Sequence, residues 1–334
     1  MPTVPTEPTV NFPEHLLGGP TIGEIGEFEV IRVITEQASS TLNGDDAAVL
    51  RHASPNSRAV ATTDMLVEGR HFQLHWSSPE EIGQKAILQN FADIEAMGAR
   101  PIAALLAISA PVHTPVEFIR GVARGIGKRV EEYSAELVGG DVTQGNSLVL
   151  SVTALGSLGG SLPELTLGRA RPGQIVVAHG RIGYSSAGLS LLQRFGREGV
   201  PAELTPLVEA HCAPQLTPGR GMVARAAGAT AMTDNSDGLI VDLSQMAKKS
   251  GVRIDVESDA IGPDELLSKA GEILGRDPWE WILTGGEDHT LLSTTFGEAP
   301  SGFREIGHVT KSRTDDLVTM DKKTPAYSTG WTSF

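Results

Sequence analysis

The sequence predicts a two-domain α/β (α+β) fold. Three observations lead there: a length of 334 residues, helical and strand-like hydrophobic periods that intermix along the chain, and a composition shift near its middle. The length suits about two domains of ordinary size. Forty per cent hydrophobic residues are enough for packed cores and exclude wholesale disorder. The 20–50-residue period of a solenoid is absent.

The elements follow in order. Residues 1–18 carry prolines at 2, 5, 8 and 13; they have neither the basic start nor the apolar centre of a signal peptide and are expected to be a flexible leader. From Gly23 to Ser39, Ile25, Phe28, Ile31, Val33 and Ile34 fall on one helical face. Ala47–His52 and Arg58–Thr63 are apolar and β-branched enough to be buried strands. Pro79–Met97 is the clearest helix: Ser78 caps it, Pro79 opens it, Glu80 and Glu81 fill its first turn and Gly98 stops it. A strand over Pro101–Ala110 and a helix over Pro115–Tyr133 come next, then strands at Leu137–Val138 and Ser147–Leu155 flanking a glycine-rich turn.

Between Gly156 and Gly173 the composition turns to Gly, Ser, Pro and Arg, which marks a domain boundary. The predicted domains are 19–160 and 161–334. The second opens with strand Gln174–Ala178, a glycine-containing loop and a helix through Phe195. Strand Ala229–Thr233, helix Leu239–Lys249, strand Val252–Val256, a helix near Asp264–Leu274 and strands near His289–Thr295 and Glu305–Thr310 complete it.

Lys and Arg number 27 against 41 Asp and Glu, a net charge of −14. Such a chain repels phosphate backbones, which excludes a nucleic-acid binder of the basic-patch kind. The longest mostly apolar run, near Pro101–Val112, is shorter than the roughly 20 residues a membrane span needs. One cysteine, Cys212, excludes an internal disulfide and a cysteine-based zinc site. A reduced, cytoplasmic protein is expected.

The acids recur in one local form, an Asp beside Gly, Thr or Ser near the end of an apolar run. The instances are Gly44-Asp45-Asp46, Thr62-Thr63-Asp64, Asn90-Phe91-Ala92-Asp93, Gly139-Gly140-Asp141 and Asp234-Asn235-Ser236-Asp237-Gly238. Each alone is most simply a turn. Asp93 differs, because it lies among Ile87, Leu88, Phe91, Ile94 and Met97 of the Pro79–Met97 helix, where a carboxylate is costly unless paired or metal-bound. Converging loops of this kind would let hard cations bridge a polyphosphate to an acidic protein.

Phosphate loops are less well supported. Gly121–Lys128 lacks the Gly-x4-Gly-Lys-Ser/Thr form and reads as helix. Gly180–Gly188 follows a strand and opens a helix, so its N–H groups are candidates to meet an anion. A Gly-x-Ser-x-Gly elbow is absent, and Cys212 has only the adjacent His211 for company.

With the five acidic loops in order, the chain resembles the thiamine-monophosphate kinase family of the ATP-binding superfamily that includes aminoimidazole ribonucleotide synthetase. The match runs from about Gly26 to the C-terminus through GEFEVI, GDDAAVL, TTDMLVEGRHF, KAILQNFADIEAMGARP, GGDVTQG, ARPG, SDGLIVDL, TGGEDH and Gly330-Trp331. The resemblance implies an N-terminal mixed sheet packed with helices that forms a homodimer, and a C-terminal α/β domain completing the site. It implies transfer of the ATP γ-phosphoryl group onto the phosphate of thiamine monophosphate, with several Mg²⁺ ions. Matched position by position, Asp46, Thr63, Asp64, Asp93, Asp141, Asp234 and Asp237 would hold Mg²⁺, with Thr62 helping through its backbone; Asp64, Asp141 and Asp237 would be the catalytic carboxylates. Gly140, Ser236 and Arg169 would touch ATP, and His71, Glu287 and Trp331 the thiamine side.

Some positions depart from that pattern. Asn235 stands where an apolar residue is usual, and Leu167 where an Arg contacts ATP, a role left to Arg169 or Arg171. His289-Thr290 replace Tyr-Glu, and Thr332-Ser333 replace Asp-His. Two other functions compete: an ATP-dependent synthetase of the same superfamily that activates a carbonyl oxygen, and a non-catalytic divalent-cation-binding protein. The second lacks an EF-hand loop.

Overall fold

The computed structural model describes residues 10–40, 56–312 and 316–330. The predicted strand Ala47–His52, Asp46 and Trp331 lie outside these residues. Chain contacts divide the protein into two compact units, one holding 61–90 and 102–155, the other 91–101 and 156–330.

The first half runs α1 (Ile22–Ile25), α2 (Glu27–Gln37), β1 (Arg58–Val67), α3 (Pro79–Ala96), β2 (Arg100–Ala110), α4 (Val116–Glu132), β3 (Glu136–Gln144) and β4 (Val149–Leu158). The four strands form a mixed sheet in the order β1-β4-β2-β3. The parallel β2–β3 pair is reached through α4, the crossover that parallel neighbours require.

The single helix expected at Gly23–Ser39 is two, broken at Gly26, whose φ of 77° is left-handed. The break turns α2 so that Val30, Val33 and Ile34 are buried while Phe28 stays 90% exposed, against its predicted inward place. Helix α3 begins as expected: Glu81 N–H donates to Ser78 Oγ and Ser78 N–H to the Glu81 carboxylate, a reciprocal cap. The glycines of 121–128 lie within α4, as their periodicity predicts. They serve close packing: a Cβ on Gly125 would sit 2.0 Å from the Glu80 carbonyl, and one on Gly83 would sit 2.1 Å from that of Val122. Backbones of α3 and α4 touch only because both carry glycine there.

Most of the glycine-rich turn expected between Val138 and Ser147 is strand instead: β3 runs on to Gln144. Ala104 pairs with Leu137 and Leu105 with Gly139, so Val138 is an extra residue, a bulge. Beyond it Gly140 lies flush against Leu106 of β2, where a Cβ would be 1.9 Å from the Leu106 carbonyl.

The second half runs β5 (Ile175–His179), α5 (Tyr184–Phe195), α6 (Thr205–Cys212), α7 (Arg220–Ala226), β6 (Ala231–Asp234), α8 (Leu239–Ser250), β7 (Val252–Val256), α9 (Ser258–Ile261), α10 (Glu265–Leu274), α11 (Pro278–Thr284), β8 (Leu291–Thr295), β9 (Arg304–Lys311) and β10 (Val318–Met320). Six strands order as β10-β7-β9-β5-β8-β6; only β10–β7 is parallel among their described pairings. Every residue of β8 is buried. Helices α6, α7, α9 and α11 and strand β10 are additions to the sequence reading; all are short, with three to eight residues, below the length at which a period declares itself. Among the described residues no helix is long and apolar enough to cross a membrane.

Candidate functional site

In the first unit the candidate residues lie on the sheet. Thr62, Thr63 and Asp64 are consecutive on β1, and Gly140 and Asp141 on β3. Asp64 is half-buried and Asp141 exposed. Both sit within strands rather than at strand ends. Strands β4 and β2 separate β1 from β3, so the sheet holds these two carboxylates three strand spacings apart, on the order of 14 Å. Thr63 Oγ1 donates to the Val152 carbonyl at 3.0 Å and accepts from Thr153 Oγ1 at 3.1 Å, which ties it to β4.

His71 follows β1. Its Nδ1 accepts the Val67 N–H at 3.0 Å, so the neutral ring carries its proton on Nε2. The buried Lys85 of α3 donates to the His71 carbonyl at 3.0 Å. The ring is therefore held from both its side chain and its backbone.

The second unit gathers a denser group. Strand β6 ends at Asp234, and the loop Asn235–Gly238 leads into α8. Gly238 takes a φ of 121°, and a Cβ there would meet the Thr284 carbonyl at 2.7 Å, so only glycine makes this turn. Asp242, in the first turn of α8, reaches back so that its carboxylate accepts the N–H groups of Asp237 and Gly238, each at 3.1 Å. Burial, then the charges of Asp234 and Asp237, push the Asp242 carboxyl up to about 8.

A second loop, Gly285–Thr290, lies alongside. Glu287 N–H donates to the Ser236 carbonyl, His289 N–H to that of Asn235, and Asn235 N–H to that of Thr290, at 2.8–3.0 Å. Glu287 and His289 take φ values of 62° and 52°, a strained conformation for residues with side chains. Asp288 is buried; its oxygens accept Gly183 N–H at 2.6 Å and Ser185 N–H at 2.8 Å. Burial pushes its carboxyl up to about 7. These bonds correct the anion reading of Gly180–Gly188: the N-terminus of α5 already holds a carboxylate, the protein's own. His289 Nδ1 lies 2.9 Å from Asp234 Oδ2, both side chains being buried.

Asp234, Ser236, Asp237 and Glu287 thus come together. Asp93 lies half-buried in the last turns of α3. Arg169 binds Glu164, donating to its carbonyl at 2.9 Å and its carboxylate at 3.1 Å. Asp242, Asp288 and His289 are additions to the predicted site. Asp242 had a signal, since an acid in the first turn of a helix is favoured by the positive end of the helix dipole.

Among the described residues no group of three His, Cys, Asp or Glu side chains converges closely enough to hold a metal ion by itself. Mg²⁺ asks for less: one or two carboxylates, with water and phosphate oxygens completing its shell. The carboxylate and hydroxyl oxygens of Asp234, Ser236 and Asp237, gathered at the end of β6 and in the loop before α8, fit such a cation.

The family described as AIR synthase related protein, N-terminal domain, matches residues 44–158, and the corresponding C-terminal domain family matches 171–318. The thiamine-monophosphate kinase of Corynebacterium glutamicum is 78% identical over 326 residues, 98% of each chain. That of Mycobacterium tuberculosis is 41% identical over 321 residues, 94% of this chain and 93% of its own. The structure of AaThiL complexed with AMPPCP and TMP superposes with a TM-score of 0.75 at 32% identity, covering 93% of this chain and 98% of the other. The chain belongs to the thiamine-monophosphate kinase family.

Proposed function

We propose that the protein transfers the γ-phosphoryl group of ATP to the phosphate of thiamine monophosphate, giving thiamine diphosphate and ADP. Membership of the family along the whole chain carries this reading. The acidic, oxygen-rich loop at 234–242 supports it, because donor and acceptor are both anionic and must be screened to meet.

When bound, Mg²⁺ supplies charge neutralisation and a template for the phosphates. Asp46, Asp64, Asp93, Asp141, Asp234 and Asp237 are its proposed ligands, with Thr62 and Thr63. The wide spacing of Asp64 and Asp141 on the first sheet suits several ions, each taking few protein oxygens. Gly140, Ser236 and Arg169 are assigned to ATP. The exposed backbone of Gly140 supports its share; the Glu164 bonds of Arg169 require that its guanidinium be redirected. His71, Glu287 and Trp331 are assigned to the thiamine side. A phosphate acceptor is already ionised near neutral pH, so no side chain is asked to remove a proton and no covalent intermediate is needed.

A homodimer through the first unit and a cytoplasmic location belong to the same proposal. The exposure of Met65 on β1, 53%, supports a covered sheet; a single, buried Cys212 in no disulfide suits a reducing compartment.

The test is incubation with ATP, Mg²⁺ and thiamine monophosphate, followed by chromatography for thiamine diphosphate and ADP. ADP released only with an amide or amidine substrate would favour the carbonyl-activating synthetase. Cation binding without ATP affinity would favour the non-catalytic protein.

A further inference from the structure

His289, to which the proposed reaction gives no role, lies in buried contact with Asp234. Asp234 ends β6 and pairs with Leu291 of β8, so His289 lies two residues outside the ladder. Its left-handed backbone, with φ 52°, is one that His adopts more readily than most side chains. Two backbone hydrogen bonds, Asn235 N–H to Thr290 at 2.8 Å and His289 N–H to Asn235 at 3.0 Å, fix where the ring starts relative to the carboxylate. Nδ1 then meets Oδ2 at 2.9 Å, with the two side chains 6% and 7% exposed. An ionised carboxylate only accepts, so Nδ1 is the donor. Ser236 Oγ lies 3.4 Å from the other oxygen, Oδ1.

We propose that His289 is a positioning residue: by donating from Nδ1 to Oδ2 it holds the Asp234 carboxylate with Oδ1 turned toward Ser236 and the cation. This rests on Asp234 being a cation ligand, as assigned above. The pairing follows the general design in which a donor behind a ligating carboxylate sets its orientation, and whose loss typically weakens metal affinity about 10–100-fold. A plain buried strut would stabilise the loops and leave cation affinity alone.

The experiment titrates Mn²⁺ into the full chain with a saturating non-hydrolysable ATP analogue, following free Mn²⁺ by electron paramagnetic resonance. It compares the wild type with His289→Ala, His289→Asn and Asp234→Asn, each checked by thermal melting. Ala is expected to weaken Mn²⁺ binding about 10–100-fold and to raise the Mg²⁺ needed for half-maximal turnover more than it lowers kcat. Asn is expected to retain affinity within about threefold, because its amide nitrogen stands where Nδ1 stands and Asn tolerates a left-handed backbone. Wild-type affinity in His289→Ala, or equal loss in Ala and Asn, overturns the proposal. Should Ala not fold, His289→Gln, whose amide ends one bond further out, takes its place with the same expected loss and the same refuting result. Undiminished affinity in Asp234→Asn would overturn the assignment of Asp234 as a ligand as well. Loss in Asp234→Asn with none at His289 overturns only the positioning role.

Discussion

Gly140 is assigned to ATP, yet the fold makes its own demand at that position, and Gly140→Ala separates the two. The added Cβ would sit 1.9 Å from the Leu106 carbonyl oxygen and 2.9 Å from its carbon. An ordinary contact needs more than 3 Å, so β2 and β3 must part locally by over 1 Å. The partners Leu106↔Gly140 and Ala107↔Asp141 lie at the opening. Two weakened ladder bonds at about 1 kcal/mol each, with about 1–3 kcal/mol of overpacking strain, give a loss of about 3–5 kcal/mol. For a unit of this size that lowers the melting temperature by about 10–18 °C. Thermal and urea denaturation measure it, beside the KM for ATP. Asp141 is the next residue, so turnover should fall as well. An unchanged midpoint with a raised ATP KM would refute the reasoning and show that the glycine serves nucleotide approach alone.

Asp64→Asn and Asp141→Asn are expected to abolish Mg²⁺-dependent turnover while shifting stability by less than about 0.5 kcal/mol, since neither is fully buried; near wild-type turnover in Asp141→Asn would remove it from the catalytic set. Glu95 accepts the N–H groups of Gly219 and Gly221, each at 2.6 Å, and burial pushes its carboxyl up to about 7. The folded chain therefore keeps a proton that the unfolded chain loses near pH 4–5, so stability falls as pH rises through that window to 7 and is level above it. In urea melts Glu95→Gln should remove this share, up to about 3 kcal/mol; equal slopes in variant and wild type would contradict it. Asn235 is fully buried with Oδ1 lacking a hydrogen-bond partner, so Asn235→Leu should stabilise the fold by about 1 kcal/mol, seen as a higher denaturation midpoint, and a lower midpoint would show that its 3.5 Å contact with Asp288 matters more.

Much of the candidate site was legible in the linear order of short acidic motifs. Asp64, Asp141, Asp234 and Asp237 are recognisable because each directly follows Gly, Thr or Ser in a short acidic motif near an apolar run, although β1, expected to be buried, and β3 around Asp141 are largely exposed. Asp288 was not, since an acid after two glycines looks like a turn; only the fold brings it 103 to 105 residues back to the N-terminus of α5. Phe28 misled the reading because a helical face does not reveal that a glycine has restarted the helix.

The two-domain α/β class and the long helices and strands can be read along the chain, because periodicity and turn chemistry are local. Which acids meet is set by the folded chain. It put Asp64 and Asp141 on opposite edges of one sheet, made Gly140 a packing necessity, and closed the loops of Asp234 and His289 onto each other. Strand order and loop-to-loop hydrogen bonds join residues far apart in the chain, and no local pattern records which distant backbone will supply the partner.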